Sequence, residues 1–315
     1  MLETIILIVV GALLVTVLAI WLFGERWRPL RPSTWKIIRE GGLRGFLNVG
    51  TLLQGYVLGR WTNQYLNLLI KYIFPRLGPR GKSWFSDRYH WKVLTQEQAE
   101  AIITIDQEIP LRDLEQIIPY PMARDFVLKG PPDVAVYECG WRQARANPCQ
   151  PTQVCMITGQ PMVDFVLEHN PKTSRRLTQA EALELLRAER ERGHMHSAFF
   201  GHPLLDRFFT ICNCCKCCCG AIEAMVKYGM PLIASSGYVA QVDETLCTAC
   251  GTCVDACPFD ALSIEDETST MDWEKCLGCE VCVALCPNEA RSLVRDESKG
   301  IPLDVRLLAQ EQPVR

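Results

Sequence analysis

The 315-residue chain lacks a G-x-G-x-x-G fingerprint, a P-loop, a C-x-x-C-H haem site and a Ser-His-Asp set. Neither nucleotide binding nor hydrolysis is therefore indicated. Charge is absent from "TIILIVVGALLVTVLAIWLF", Thr4 to Phe23. As a helix this run spans about 30 Å, the thickness of a bilayer's hydrocarbon core. A secretory signal would carry a basic stretch before the run and a small-residue cleavage site after it. Here "MLE" precedes and "GERWRPLRPSTWK" follows, so the run reads as a retained transmembrane anchor. Acids are scarce from Glu25 to Lys92, where only Glu25, Glu40 and Asp87 are negative. No DNA- or RNA-binding motif accompanies the excess of Lys and Arg, so nucleic acid is not an expected partner.

Arg26, Arg28, Arg31, Lys36 and Arg39 follow the anchor, while only Glu3 and the terminal amine precede it. The positive-inside rule then predicts a single-pass protein of the cytoplasmic membrane, with the bulk of the chain on the cytoplasmic side. Seventeen cysteines on a reducing side argue for metal or redox chemistry and against a disulfide scaffold. The basic, Trp- and Tyr-rich region after the anchor has the pattern of helices lying on an anionic membrane surface, or of a face docked on a partner subunit. Further on, "TQEQAEAIITI" opens with Thr95 and Gln98 in capping-box spacing, and "DVAVYE" reads as a strand leading to Cys139. "LTQAEALELLRAERERG" predicts a helix boxed by Thr178 and Glu181 and stopped at Gly193. The expected fold is α+β in five parts. These are an anchor (1–24), amphipathic membrane-surface helices (25–92), a mixed cysteine-rich module (93–240), a dicluster domain (241–295) and a polar tail (296–315).

Residues 242–265 and 271–294 form an internal repeat, each copy containing C-x2-C-x2-C-x3-C-P. Three closely spaced thiolates can wrap three corners of a cubane, and the fourth, carried away from the loop, reaches the partner cluster. Cys247, Cys250, Cys253 and Cys286 are thus expected to bind one [4Fe–4S] cluster, and Cys276, Cys279, Cys282 and Cys257 a second. Gly251 and Gly278 suit a close backbone approach, and Pro258 and Pro287 fix the exit from each loop. Zinc is the alternative for paired cysteines, but a zinc finger needs no such twofold quartet. These residues resemble the bacterial-type dicluster ferredoxin at all eight ligand positions. That resemblance implies a pseudo-twofold βαβ-like fold passing single electrons. The segment's net acidity suits a basic redox partner.

Nine cysteines remain: Cys139, Cys149, Cys155, Cys212, Cys214, Cys215, Cys217, Cys218 and Cys219. On a helix, Cys212, Cys215 and Cys219 would share one side and Cys214, Cys217 and Cys218 another, so the run "CNCCKCCC" cannot aim six sulfurs at one metal. One further [4Fe–4S] cluster is expected from this run and the three earlier cysteines; a second would need eight of the nine. Lys216 could offset thiolate charge. His194 and His196 flank the run, whereas His90, His169 and His202 have no special context. The order Cys139, Cys149, Cys155, Gly193, His196 and "ICNCCKCCCG" resembles a family of membrane-anchored, cysteine-rich 4Fe–4S proteins of bacteria and archaea. There a G-x-x-H precedes a C-x-CC-x-CCC run, which marks His196 as the candidate ligand. The chain departs from that family at "CGWR", where Trp141 stands in place of a second cysteine.

The expected function is a membrane-anchored electron relay within a larger redox complex, with the lipid bilayer and a protein redox partner as its contacts. A middle module that itself reduces a disulfide, a thiol-bound substrate or a corrinoid is the enzymatic alternative. A redox sensor is a third, for which no output motif is visible.

Overall fold

A computed structural model describes residues 2–47, 49–106, 109–111, 117, 126–128, 131–201 and 207–310. Helix α1 (Leu2–Gly24) is exposed from Thr4 to Leu18 and meets the rest of the protein only at its C-terminal end. Its Thr4–Gly24 segment has a mean hydropathy of 3.1 and no buried share; among the described residues it alone is long and apolar enough to cross a membrane. Its foot is held rather than tethered. Buried Glu25 accepts from Thr34 Oγ1 at 2.7 Å, Tyr56 Oη at 2.9 Å and the Arg31 backbone N–H. His169 Nε2 lies 3.4 Å from the same carboxylate. Burial, with Arg60, Arg31 and Arg26 nearby, lowers the His169 pKa to about 3, so this contact is a hydrogen bond donated by a neutral ring and not an ion pair.

The next helices are α2 (Pro32–Leu47), α3 (Val49–Arg60), α4 (Thr62–Leu68) and α5 (Pro79–Ser86). Some of the apolar residues of this region turn inward. Leu58, Leu66, Leu69, Phe74 and Phe85 are buried in one core with Trp141 and Phe165. Part of the apolar surface of this region is therefore used by the chain's own module. Trp27, Trp35, Tyr72 and Trp84 stay exposed.

Strand β1 (Tyr89–Leu94) crosses the expected boundary at residue 92 and enters a seven-stranded sheet. After it come α6 (Gln96–Thr104), a ribbon of β2 (Ile109–Leu111) and β3 (Phe126–Leu128), then β4 (Val134–Glu138), β5 (Gln153–Thr158) and β6 (Ser174–Leu177). Strands β7 (Met195–Gly201), β8 (Arg207–Cys214) and β9 (Ile233–Ala234) complete the order β6-β4-β5-β8-β7-β1-β9. All its neighbours are antiparallel except β1 and β9. Both faces are covered, so β1 and β7 are buried along their whole length. Tyr89, Trp91, Val93, Met195 and Phe199 serve one core, while Leu94, Ala198 and Phe200 serve the other, as strand alternation requires. Thr95 and Thr178 form the expected capping boxes, and Gly193 ends the second helix at φ +74°.

In the C-terminal domain β10 (Tyr238–Val242) pairs with β13 (Arg291–Arg295), and β11 (Leu262–Glu265) with β12 (Thr268–Met271). One short helix, Thr252–Ala256 or Val281–Ala284, follows each cysteine loop, which gives the repeat its pseudo-twofold form. The domain is docked on the sheet module. Glu280 pairs with Arg190 at 3.1 Å and accepts from the Gln96 N–H at 2.8 Å. Ser236 N–H donates to Leu277 O at 3.0 Å. The segment after Arg295 is more than a polar tail: Leu303 and Val305 are buried in the second core with Ile102 and Leu186 of α6 and the helix Gln179–Glu191.

Candidate metal centres

The eight repeat cysteines line two cavities, four to each. Cys276, Cys279, Cys282 and Cys257 surround one, with Pro258 and Gly278 on its wall. Cys247, Cys250, Cys253 and Cys286 surround the other, with Pro287 and Arg291. Each cavity therefore receives three thiols from one loop and the fourth from the other repeat. The backbone is arranged to support thiolates there. Ala261 N–H points at Cys257 Sγ (3.4 Å), Ala290 N–H at Cys286 Sγ (3.2 Å) and Ala240 N–H at Cys276 Sγ (3.5 Å). Such N–H···S bonds favour the charged form that binds iron. Without a metal, burial pushes Cys282 up to about 12 and Cys279 well above the usual thiol range, so loading these sites must release protons. The donor sets, their spacing around the cavities and their N–H donors fit cubane iron–sulfur clusters.

The two loop glycines differ. A Cβ on Gly278 (φ +63°) would stand 2.3 Å from Tyr238 O, whereas one on Gly251 (φ +79°) would meet nothing within 4 Å. Gly278 is required by crowding, Gly251 only by its left-handed backbone.

The other nine cysteines fall into two nests. Neither matches the helical grouping of "CNCCKCCC", because the run is not a helix. Cys212 and Cys214 end β8, Cys215 to Cys218 turn, and Cys219 precedes the helix Gly220–Tyr228. Strand alternation puts Cys212 and Cys214 on the same face, where Cys155 of β5 and Cys139, just beyond β4, come alongside. The thiols neighbour and perturb one another in the order Cys139, Cys155, Cys212, Cys214, Cys219. Neighbouring Cys155, with burial, drives the Cys139 pKa well up. Cys155, Cys212 and Cys214 are each lowered by one neighbour, but the next neighbour and burial outweigh it and the net direction is upward. Trp141 is no gap in this wall. A Cβ on Gly220 would stand 2.3 Å from its ring, so the indole closes the nest against the start of that helix.

The second nest holds Cys149, Cys215, Cys217 and Cys218. Cys149 N–H lies 3.4 Å from Cys218 Sγ, and Cys217 and Cys218 sulfurs are 3.4 Å apart. The histidine facing it is His194, whose Nε2 is 3.6 Å from Cys149 Sγ. His196 is placed elsewhere: its nitrogens contact Asn213 Oδ1 at 2.6 Å and Gln96 Oε1 at 2.8 Å, which leaves neither for a metal. The difference is one of register, since His196 lies opposite Asn213 on β8. His194 is aligned from behind by buried Glu189, whose Oε2 is 2.7 Å from Nδ1, and Glu189 is in turn paired with buried Arg142 at 3.0 Å. Glu189 and Arg142 carry no motif in the sequence, and only the folded arrangement brings them to the site. Lys216 points away from the sulfurs and bridges to Asp260 Oδ1 (2.9 Å) and Asp255 O (3.2 Å), beside Cys257.

No curated protein matches the chain. The family model of the 4Fe-4S binding domain matches residues 240–263 and 270–292, one match per copy of the repeat. A 4Fe–4S binding domain thus lies near the C-terminus, and its two repeats, beside nine further cysteines, mark iron–sulfur electron transfer as the chemistry of this chain.

Proposed function

We propose that the protein is a membrane-anchored carrier that relays single electrons through two ferredoxin-type [4Fe–4S] clusters and a third cluster in the middle module, as a subunit of a larger redox complex. Cys247, Cys250, Cys253 and Cys286 hold the first cluster, and Cys276, Cys279, Cys282 and Cys257 the second. Four of the five thiols Cys139, Cys155, Cys212, Cys214 and Cys219 hold the third. The observation that carries this reading is the pair of four-cysteine cavities with their exchanged fourth ligands, docked on a module with its own five-thiol nest, in which Cys139, Cys214 and Cys219 are buried and Cys155 and Cys212 half-buried. When bound, the clusters supply one-electron chemistry. The chain's own residues position them, donate N–H bonds to their thiolates and exclude water.

The second cluster site lies on the docked side, where Leu277, Gly278 and Glu280 both line its cavity and meet the module. The first lies farther out, and its Cys250 is exposed. Electrons then pass between module and partner by way of the second and first clusters, whose acidic surround suits a basic partner. The uncovered apolar length of α1 and the rigid joint at Glu25 support anchoring in the cytoplasmic membrane, with the relay held at a set height above it. The test is low-temperature EPR of the anaerobically purified full chain after chemical reduction. Signals of magnetically interacting [4Fe–4S]⁺ centres, with spin for about three clusters, are expected; a spectrum accounted for by mononuclear iron would overturn the reading.

A further inference from the structure

The second nest has a different geometry from the cluster sites. Around a cubane each thiolate caps its own iron, so the sulfurs stand roughly 6 Å apart. Around one tetrahedral ion, bonds of about 2.3 Å to sulfur and 2.0 Å to nitrogen bring donors to about 3.5–3.8 Å of one another. In this nest Cys149 Sγ and His194 Nε2 are 3.6 Å apart, and Cys149, His194 and Cys215 all lie within 4.8 Å of one another. Cys215, Cys217 and Cys218 make a second such trio. Among the described residues, no three of the eight ferredoxin cysteines come so close.

A second observation is independent of the sulfurs. His194 is 7 % exposed, its Nδ1 is committed to Glu189, and its Nε2 therefore faces the thiols. A carboxylate behind a histidine, itself held by a buried guanidinium, is the outer-shell arrangement that orients metal-binding imidazoles. Cys218 is buried and its sulfur receives the Cys149 N–H, whereas Cys217 is exposed. We propose that Cys149, Cys215 and His194 hold a single zinc ion, separate from the iron–sulfur clusters, with the fourth thiolate supplied by the adjoining Cys217–Cys218 pair. Three thiolates and one imidazole form a closed tetrahedral set, which is a structural rather than a catalytic site. The ion would cross-link the loop before β5, the entry to β7 and the turn carrying Lys216. It thereby steadies the contact of Lys216 with Asp255 and Asp260 next to the second cluster.

The test is metal and sulfide analysis of the full chain, purified anaerobically in detergent without added zinc, together with X-ray absorption at the zinc edge. The wild type should hold about one zinc with a shell of three sulfurs and one nitrogen. His194→Ala should lose that zinc at unchanged iron and sulfide, and His194→Cys should keep it in an all-sulfur shell. Two results would overturn the proposal: a wild type without stoichiometric zinc, or a His194→Ala protein that loses iron and sulfide together. If His194→Ala does not fold, the wild-type shell and its change in His194→Cys decide. Absence of the third cluster would instead show as missing iron at full zinc, so the two claims are separable.

Discussion

Arg291 is buried behind the first cluster cavity, with Nη2 3.1 Å from Ser269 O and 4.0 Å from Cys253 Sγ. Its Nε and Nη1 have no hydrogen-bond partner in the protein. A buried cation beside a cluster favours the reduced, more negative form. Arg291→Leu should therefore lower the midpoint potential of that cluster more than that of the second, whose Cys282 also feels the Arg291 charge, as read by EPR-monitored redox titration. The expected shift is tens of millivolts, since about 1.4 kcal/mol corresponds to about 59 mV for one electron; equal shifts in both clusters would contradict this role. Lys92 is a different case. It is 1 % exposed on the β1 face shared with Leu94, and burial, then Arg295, lowers its pKa from 10.5 to about 7. The unfolded chain holds its proton up to the higher value and the folded one releases it near the lower. Stability from this group therefore rises as pH increases from 7 to 10.5. Lys92→Met should raise thermal stability at pH 7, by on the order of a few kcal/mol, with a smaller gain at pH 9.5; an equal gain at both would remove titration as the cause. At this scale the grouping of the eight repeat cysteines into two quartets was legible because the repeat's spacing is local. His194, Glu189 and Arg142 were not, since they meet only after the sheet has folded.

At the scale of elements, capping boxes at Thr95 and Thr178 and the strand before Cys139 were readable, because their signals lie within four residues of one another. The run "CNCCKCCC" was not. A helical wheel splits it by a 3.6-residue period, whereas the chain takes a two-residue period through Cys214, turns, and starts a helix after Cys219. Both periods divide the sulfurs in two, but they divide them differently. The packing of the helix Gly220–Tyr228 supplies a test. Gly220 meets the Trp141 ring, and Trp141 is itself packed near Phe74 with ring centroids 6.2 Å apart. Gly220→Ala should destabilise the module by about 1–3 kcal/mol through overpacking, seen as a lower unfolding midpoint; Gly251→Ala, which meets no atoms, should leave this module's unfolding unchanged.

For the whole molecule, the long apolar first helix and the twofold repeat could be read directly, whereas the way the parts assemble could not. For helices α2 to α5, amphipathicity shows that a face is apolar without showing what covers it. Here the chain's own sheet module covers part of it, and β1, the strand that follows, lies inside that sheet. The same limit applies to the segment after Arg295, where Leu303 and Val305 are too few to signal burial but complete the second core. The resulting body brings the five-thiol nest, the His194 nest and the two ferredoxin cavities together above one apolar helix.

Iron and acid-labile sulfide per chain, measured on the wild type and on a Cys155→Ser/Cys212→Ser variant, test the central claim most directly. The account predicts about twelve of each in the wild type and about eight in the variant. Eight in both proteins would contradict a third cluster in the middle module.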